Sequence, residues 1–161
     1  MRRHYVIAED DENTQVLIAR VYKQLDPLIS VDFVNDGEEA IKYLEGAGRY
    51  RDRHQFPLPA IVILDLNMPQ KTGLEVLHWI RHSPLREMVV VMFSGMDIDS
   101  DVRAAYRAGV NSFVHKPSSF AELIQVLSSI HHYWFDCNYF PTDDLRRRSS
   151  TGLKVVRENA E

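Results

Sequence analysis

Two short, unbroken apolar runs, Ile61-Val62-Ile63-Leu64 and Val89-Val90-Val91-Met92-Phe93, constrain this chain more than any other feature. A strand with one wet face alternates apolar with polar residues. A run apolar on both faces must be covered on both, the condition of a strand inside a parallel sheet. Segments 5–8, 31–34 and 112–114 read as further buried strands, and the two strong runs extend over 60–64 and 88–93. Between them the apolar spacing becomes helical. Val16, Leu17, Ala19, Arg20, Val21 and Leu25 set a stripe that stops at Pro27. Asp36 with Glu39 and Ser119 with Glu122 are capping boxes. They open helices carrying Ala40, Ile41 and Leu44, and then Leu123, Ile124, Val126, Leu127 and Ile130. A third helix, 73–81, carries Leu74, Leu77 and Ile80 and stops before Pro84, and a fourth, 98–108, ends at Gly109 as a left-handed cap. Strand and helix alternating five times predict an α/β fold: a single doubly wound, five-stranded parallel sheet with helices on both faces. At 161 residues and 45% apolar, the chain can bury one such core.

Two regions break the rhythm. Segment 45–59 holds Gly46, Gly48, Arg49, Arg51, Arg53, Pro57 and Pro59, and reads as a long loop with little that could enter a core. From Asp144 the chain is polar, with Arg146-Arg147-Arg148 and Ser149-Ser150-Thr151-Gly152, so 1–143 is expected to be the domain and 144–161 a mobile tail.

Composition removes several function classes. With 19 basic against 23 acidic residues and a net charge of −4, the chain lacks the basic balance of a protein built to grip nucleic acid. The single cysteine, Cys137, excludes an internal disulfide and speaks against a cysteine zinc site. The apolar run before Glu9 is only four residues long (5–8), too short for a signal-peptide core, and no run approaches the ~18 residues of a membrane span. A cytoplasmic protein with no nucleic-acid or membrane partner is expected.

The chemistry lies just past the strands. The first is followed by Glu9-Asp10-Asp11, the third by Asp65, the fourth by Ser94-Gly95 and the fifth by His115-Lys116-Pro117. Parallel strands end on one edge, where ligands bind near the point at which strand order reverses. Two like charges ~4 Å apart repel by about 4 kcal/mol at an effective dielectric near 20, so three carboxylates there need a compensating cation. An all-oxygen donor set suits a hard ion, and Mg²⁺ is the expected cofactor. Glu9 and Asp10 could ligate it directly or through water, with an oxygen from Asp65 and the backbone carbonyl of Asn67. Asp65 then becomes a nucleophile towards a phosphoryl group, Lys116 neutralises the phosphoryl oxygens and the Ser94 hydroxyl donates to one of them. Asp11 reads as a helix cap in preference to a ligand.

Glu9-Asp10, Asp65-Leu66-Asn67-Met68-Pro69 with Gly73, Ser94-Gly95 and Phe113-x-x-Lys116-Pro117 resemble the receiver domain of two-component response regulators, over about 5–130. The resemblance implies a flavodoxin-like strand order of 2-1-3-4-5, and an Mg²⁺-dependent transfer from a histidine kinase onto Asp65. It also implies a switch in which Phe113 follows Ser94 inward on phosphorylation, although Phe113 lacks the hydroxyl of many aromatic switch residues. Glu9 stands where many receivers have Asp. The long 45–59 loop and the stretch Ile130-His131-His132-Tyr133-Trp134-Phe135, continuing to Phe140-Pro141, are similar to stand-alone regulators partnered with bacterial phytochrome-type kinases.

Lesser signals carry blander readings. His78 and His82 are a helical i, i+4 pair without a third ligand, His131-His132 is no better, and the arginine run reads as soluble chain. Tyr133, Trp134, Phe135, Tyr139 and Phe140 either extend the last helix and pack on their own domain or form an interface. A homodimer through the region from the fourth strand to the fifth helix, together with this extension, is expected. The chain beyond Ile130 is short for an attached output domain, so output by protein–protein contact is expected. A phosphohydrolase would need an acid where Asn67 stands, and a dinucleotide domain would need a Gly-x-Gly-x-x-Gly turn after the first strand. A receiver-fold interaction scaffold, a phosphate sink and a donor to a histidine-phosphotransfer protein remain as alternatives.

Overall fold

The alternation of apolar runs and helical stripes resolves into one parallel sheet. The computed structural model describes residues 3–95 and 98–140. Its strands are β1 (His4–Ala8), β2 (Ser30–Val34), β3 (Ile61–Leu64), β4 (Val89–Ser94) and β5 (Ser112–His115), in the order β2-β1-β3-β4-β5 with every neighbouring pair parallel. The α-helices are α1 (Glu12–Leu25), α2 (Gly37–Glu45), α3 (Gly73–Arg81), α4 (Asp99–Arg107) and α5 (Phe120–His131). From β1 the chain steps one way to β2 and the other way to β3, so the reversal of strand order lies between β1 and β3.

The period of two along each central strand feeds two cores. Val6, Ala8, Val62, Leu64, Val90 and Met92 face the side of α2 and α3, with Tyr43, Leu77 and Ile80. Tyr5, Ile7, Ile61, Ile63, Val91 and Phe93 face α1 and α5, with Ile18, Val21 and Leu127. The expectation of five buried strands needs correction at the sheet's two edges. β1, β3 and β4 are buried throughout, whereas β2 and β5, each with one neighbour, are only partly covered.

The stripe assigned to α1 also needs correction. Its buried face is Ile18, Val21 and Tyr22, with Leu25 packed beside them, while Val16 is 66% exposed and Leu17 40%. Val16 lies two residues, about 200° of helix rotation, from Ile18 and so points away from the sheet. The aromatic body of Tyr22 supplies the apolar surface that the assigned stripe left out.

The 45–59 segment is not the core-free loop expected. Its glycines and arginines surround a 3₁₀ turn, Gly48–Arg51, that buries Tyr50 to 3% exposure. Tyr50 packs against Tyr43 (ring centroids 4.9 Å apart) and Phe56 (5.1 Å), and Leu58 joins the same cluster. Arg53 donates to the carbonyls of Tyr43 (2.8 Å) and Leu44 (2.6 Å), at the end of α2 where carbonyls run out of helical donors.

After α5 the chain continues as a π-helical segment, His132–Cys137. Trp134, Phe135 and Phe140 fold back onto the α1–α5 core, Phe135 meeting the Tyr5 ring edge-on at 5.4 Å. The inner half of the aromatic stretch is thus intramolecular packing, while Tyr133 and Tyr139 stay exposed. The arginine run and the 144–161 tail lie outside the described residues.

A polar knot fastens this extension to the start of β1. The Arg3 guanidinium donates to Asp26 (3.0 Å), Asp136 (3.0 Å) and His131 Nε2 (3.1 Å), and His131 Nδ1 meets the Tyr5 hydroxyl at 3.0 Å. Because guanidinium only donates, Nε2 must accept and the ring must be neutral. Burial, with the Arg3 charge adding to it, holds the His131 pKa below its ordinary value. A histidine lowered on folding binds its proton more readily in the unfolded chain. Its contribution to stability is therefore complete above about pH 6.5 and is lost as pH falls through the folded value. We predict that urea unfolding from pH 7 to 5 loses stability more steeply for wild type than for His131→Gln, by up to about 1.4 kcal/mol per pH unit. Equal slopes in the two proteins would remove His131 as the cause.

Candidate functional site

Backbone hydrogen bonds carry the sheet ladder one residue past the strands, so the residues that follow them have fixed positions. Glu9 N donates to Val34 O (3.0 Å), Asp65 N to Ala8 O (2.9 Å) and Lys116 N to Ser94 O (2.8 Å). Glu9, Asp65, Ser94 and Lys116, from four strands, thus gather at one edge around the reversal point.

Their side chains meet. Lys116 Nζ lies 2.6 Å from Glu9 Oε2 and 2.9 Å from Asp65 Oδ2, with its ammonium 5.8 Å from the centre of the Phe93 ring. One oxygen each from Glu9, Asp10 and Asp65 can be chosen so that all three lie within 4.8 Å of one another. Among the described residues no other such trio of acids, histidines and cysteines occurs. His78 and His82 gain no third ligand; His82 Nδ1 instead meets the His78 carbonyl at 2.7 Å.

Glu9 is 2% exposed, Asp65 is half-buried and Asp10 is exposed. Burial raises the Glu9 pKa above the ordinary carboxylate value, and the charge of Asp65 adds to the rise while Lys116 opposes it. Burial also opposes the charge on Lys116, but its bonds to Glu9 and Asp65 outweigh that, and its pKa stays above the usual lysine value. The cation is therefore firm, and Glu9 holds its charge less readily than an ordinary glutamate. Counted as ionised, three carboxylates and one ammonium leave two negative charges. A divalent hard cation matches that charge, and an all-oxygen donor set matches its ligand preference. On donor chemistry, the residues present fit such an ion.

The loop after β3 shapes the edge. Asn67 N donates to Asp65 Oδ1 (3.3 Å), which places the Asn67 backbone next to the acceptor carboxylate, and Gln70 takes a left-handed conformation (φ 64°). Gly73 N donates to Leu66 O (2.9 Å), and a Cβ at Gly73 would lie 2.2 Å from the Asp65 carbonyl oxygen. We expect Gly73→Ala to cost about 1–3 kcal/mol in chemical denaturation, the usual range for overpacking, and to shift the amide resonances of 65–68. Unchanged stability and spectra would show that the loop yields freely.

Of the remaining expected residues, Ser94 is buried at the end of β4. Phe113, on β5, is partly buried against the α2–α3 core, its backbone N 3.4 Å from the Tyr106 hydroxyl. Asp11 is the N-cap of α1, accepting from the backbone N–H of Asn13 and Thr14, and stands outside the acidic trio. Two contributors escaped the sequence reading. Phe93 lies under the Lys116 ammonium, and Gln15 donates to the Glu9 carbonyl. Nothing in local sequence marks either, because their partners are set by how strands and helix ends meet.

Residues 5–128 match the response regulator receiver domain family. The probable methanogenesis regulatory protein FilR2 of Methanothrix harundinacea is 36% identical over 140 residues, spanning 84% of this chain and 86% of the relative. The phosphorylated cyanobacterial phytochrome response regulator RcpA is similar in structure, with a TM-score of 0.82 and 29% identity over 88% of this chain and all of its own. Response regulator Rcp1 of Synechocystis is 28% identical over 137 residues, 84% of this chain and 91% of the relative. Its Mn²⁺-bound structure has a TM-score of 0.76 and covers 86% of this chain and 99% of its own.

Proposed function

We propose a function from one premise: the chain belongs to the response regulator receiver domain family. It is a receiver-type response regulator, a signalling protein, similar to stand-alone phytochrome response regulators over most of its length. On this chain Asp65 accepts a phosphoryl group from a histidine kinase in an Mg²⁺-dependent step. The observation that carries this reading is the Lys116 ammonium held between the Glu9 and Asp65 carboxylates at a sheet edge that also presents Asp10.

Glu9, Asp10, Asp65 and the Asn67 backbone carbonyl would hold the ion, which supplies positive charge to the phosphoryl oxygens when bound. An Asp65 carboxylate oxygen attacks phosphorus on the donor's phosphohistidine. The new P–O bond forms as the P–N bond breaks, the electron pair goes to the imidazole nitrogen, and the product is an aspartyl phosphate. Lys116 is already 2.9 Å from Asp65 Oδ2, so it neutralises charge on the transferred group without having to be recruited. The Ser94 hydroxyl donates to a phosphoryl oxygen, and Phe113 follows it into the space it leaves, which alters the surface of α4 and α5.

The likeness to RcpA supports a phytochrome-type kinase as the phosphoryl donor. Output runs through protein–protein contact, with self-association through β4 to α5 and the exposed Tyr133 and Tyr139. Turnover is limited to slow self-dephosphorylation. Among the described residues no helix is long and apolar enough to cross a membrane, and we place the protein in the cytoplasm.

The test is intact-protein mass after incubation with acetyl phosphate, with Mg²⁺ or with chelator. One phosphoryl adduct should form only with Mg²⁺ and should be removed by hydroxylamine, as an acyl phosphate is. No adduct, together with no binding of Mg²⁺ and beryllofluoride, would overturn the reading in favour of an interaction scaffold.

A further inference from the structure

The acidic edge depends on the peptide that links Glu9 to Asp10, because that peptide sends one carboxylate into the buried edge and the other into solvent. The backbone N–H of Glu9 is held by Val34 O on β2. Its carbonyl lies beyond the last rung of β1 and is held by a side chain. Gln15, one turn into α1, folds back towards the start of its helix, the direction in which helical side chains lean. Its amide nitrogen lies 2.6 Å from Glu9 O and 2.8 Å from Asn35 Oδ1. An amide nitrogen carries two N–H groups, and both are spent here. The backbone carbonyl can only accept, so the amide nitrogen, and not its oxygen, must face it. Asn35 directly follows β2 and precedes Asp36, the N-cap of α2. One side chain thus ties three pieces together: the end of β1, the first turns of α1 and the β2–α2 turn.

We infer that Gln15 is a positioning residue for divalent-cation binding at the Glu9, Asp10 and Asp65 edge, acting by fixing the Glu9–Asp10 peptide between α1 and the β2–α2 turn. The inference rests on the metal-dependent reading given above. Without Gln15 the Glu9 carbonyl exchanges a fixed donor for water, and the peptide gains freedom to rotate. Glu9 then leaves its bond with Lys116 more easily, and Asp10 no longer faces the same point. Groups that orient metal ligands from one shell further out typically contribute 10–100-fold in affinity. Gln15 acts on the backbone of two candidate ligands at once, so an effect of about 10-fold is expected.

The experiment measures Mn²⁺ binding to the full chain by electron paramagnetic resonance, for wild type, Gln15→Met, Asn35→Ala and the double variant. Methionine keeps the length of glutamine and removes both donors. Gln15→Met should raise the Mn²⁺ Kd about 10-fold, and Asn35→Ala should raise it by less. The double variant should be no weaker than Gln15→Met, because both residues act through one contact chain. Melting in chelator should barely change, which separates positioning from general stability. Adduct formation from acetyl phosphate should slow at low Mg²⁺ and recover at saturating Mg²⁺. If wild type binds Mn²⁺ and Gln15→Met binds it equally well, the positioning role is overturned while the metal-dependent reading stands. A loss of affinity matched by an equal loss of stability in chelator also overturns it, in favour of a structural role. If wild type itself binds no Mn²⁺, both readings fall together.

Discussion

Asp65→Asn should gain no phosphoryl mass from acetyl phosphate and Mg²⁺, while folding at least as well as wild type. Of the three acids at the edge, Asp65 alone combines openness with a bonded cation. Glu9 is buried and pushed towards protonation, and Asp10 is exposed and makes no bond to Lys116. An amide at position 65 keeps the shape but has no nucleophilic carboxylate oxygen, so the loss should be complete rather than partial. Stability should move the other way. Asp65 raises the Glu9 pKa by repulsion, and removing that charge leaves Lys116 with one carboxylate to neutralise. A gain of up to about 1 kcal/mol is reasonable for relieving a partly solvated like-charge pair. Intact mass and urea unfolding measure the two arms. An adduct retained on Asp65→Asn would move the acceptor to another residue, and a large loss of stability would make the chemical result uninterpretable as loss of a nucleophile.

Lys116→Met should damage both folding and chemistry. The ammonium bonds two carboxylates, one of them almost fully buried, so its removal leaves negative charges without a partner. Breaking a fully buried pair in this way costs about 3–5 kcal/mol. Here Asp65 retains some solvent and Glu9 can take up a proton, so a loss of about 2 kcal/mol near pH 7 is expected in chelator. Mg²⁺ should restore more stability to the variant than to wild type, because the ion then meets carboxylates with no competing cation. The rate of adduct formation should nevertheless fall about 100-fold at saturating Mg²⁺, the scale of losing one preorganised charge donor from a transition state. Melting with and without Mg²⁺ and the time course of the adduct test these statements. An unchanged rate would show that Lys116 serves only to hold the acids together.

The fold was largely written in the apolar pattern. Ile61-Val62-Ile63-Leu64 could not have a wet face, and that demand led to a parallel sheet with helices on both sides. Asp36 and Ser119 placed two helix starts, each accepting from the backbone three residues on, whereas the reciprocal capping box forms at Thr72 with Glu75, which the sequence reading did not single out. The errors share a physical cause. The apolar stripe includes Val16 and Leu17 and leaves out Tyr22 because hydropathy scores whole residues, whereas burial acts on atoms and on helix phase. Tyr50 and Phe56 were lost among glycines and arginines, because a 3₁₀ turn that buries one ring and packs a second beside it has no periodic signature.

What the sequence determined by itself was the architecture, and the set of residues that would stand at one edge of it. Apolar period, caps and strand-end residues are local properties, and parallel topology brings Glu9, Asp10, Asp65, Ser94 and Lys116 to the same side whatever the details of packing. Only the tertiary structure decided how those residues share charge. That Lys116 bonds both acids while Asp11 turns away to cap α1 depends on distances of a few ångströms. So do the two hydrogen bonds that Gln15 donates, to Glu9 and to Asn35, and the return of Phe135 onto Tyr5. These are contacts between residues up to 133 apart along the chain, as in the Arg3–Asp136 pair. No local pattern encodes them, because their geometry exists only once strands and helix ends have met.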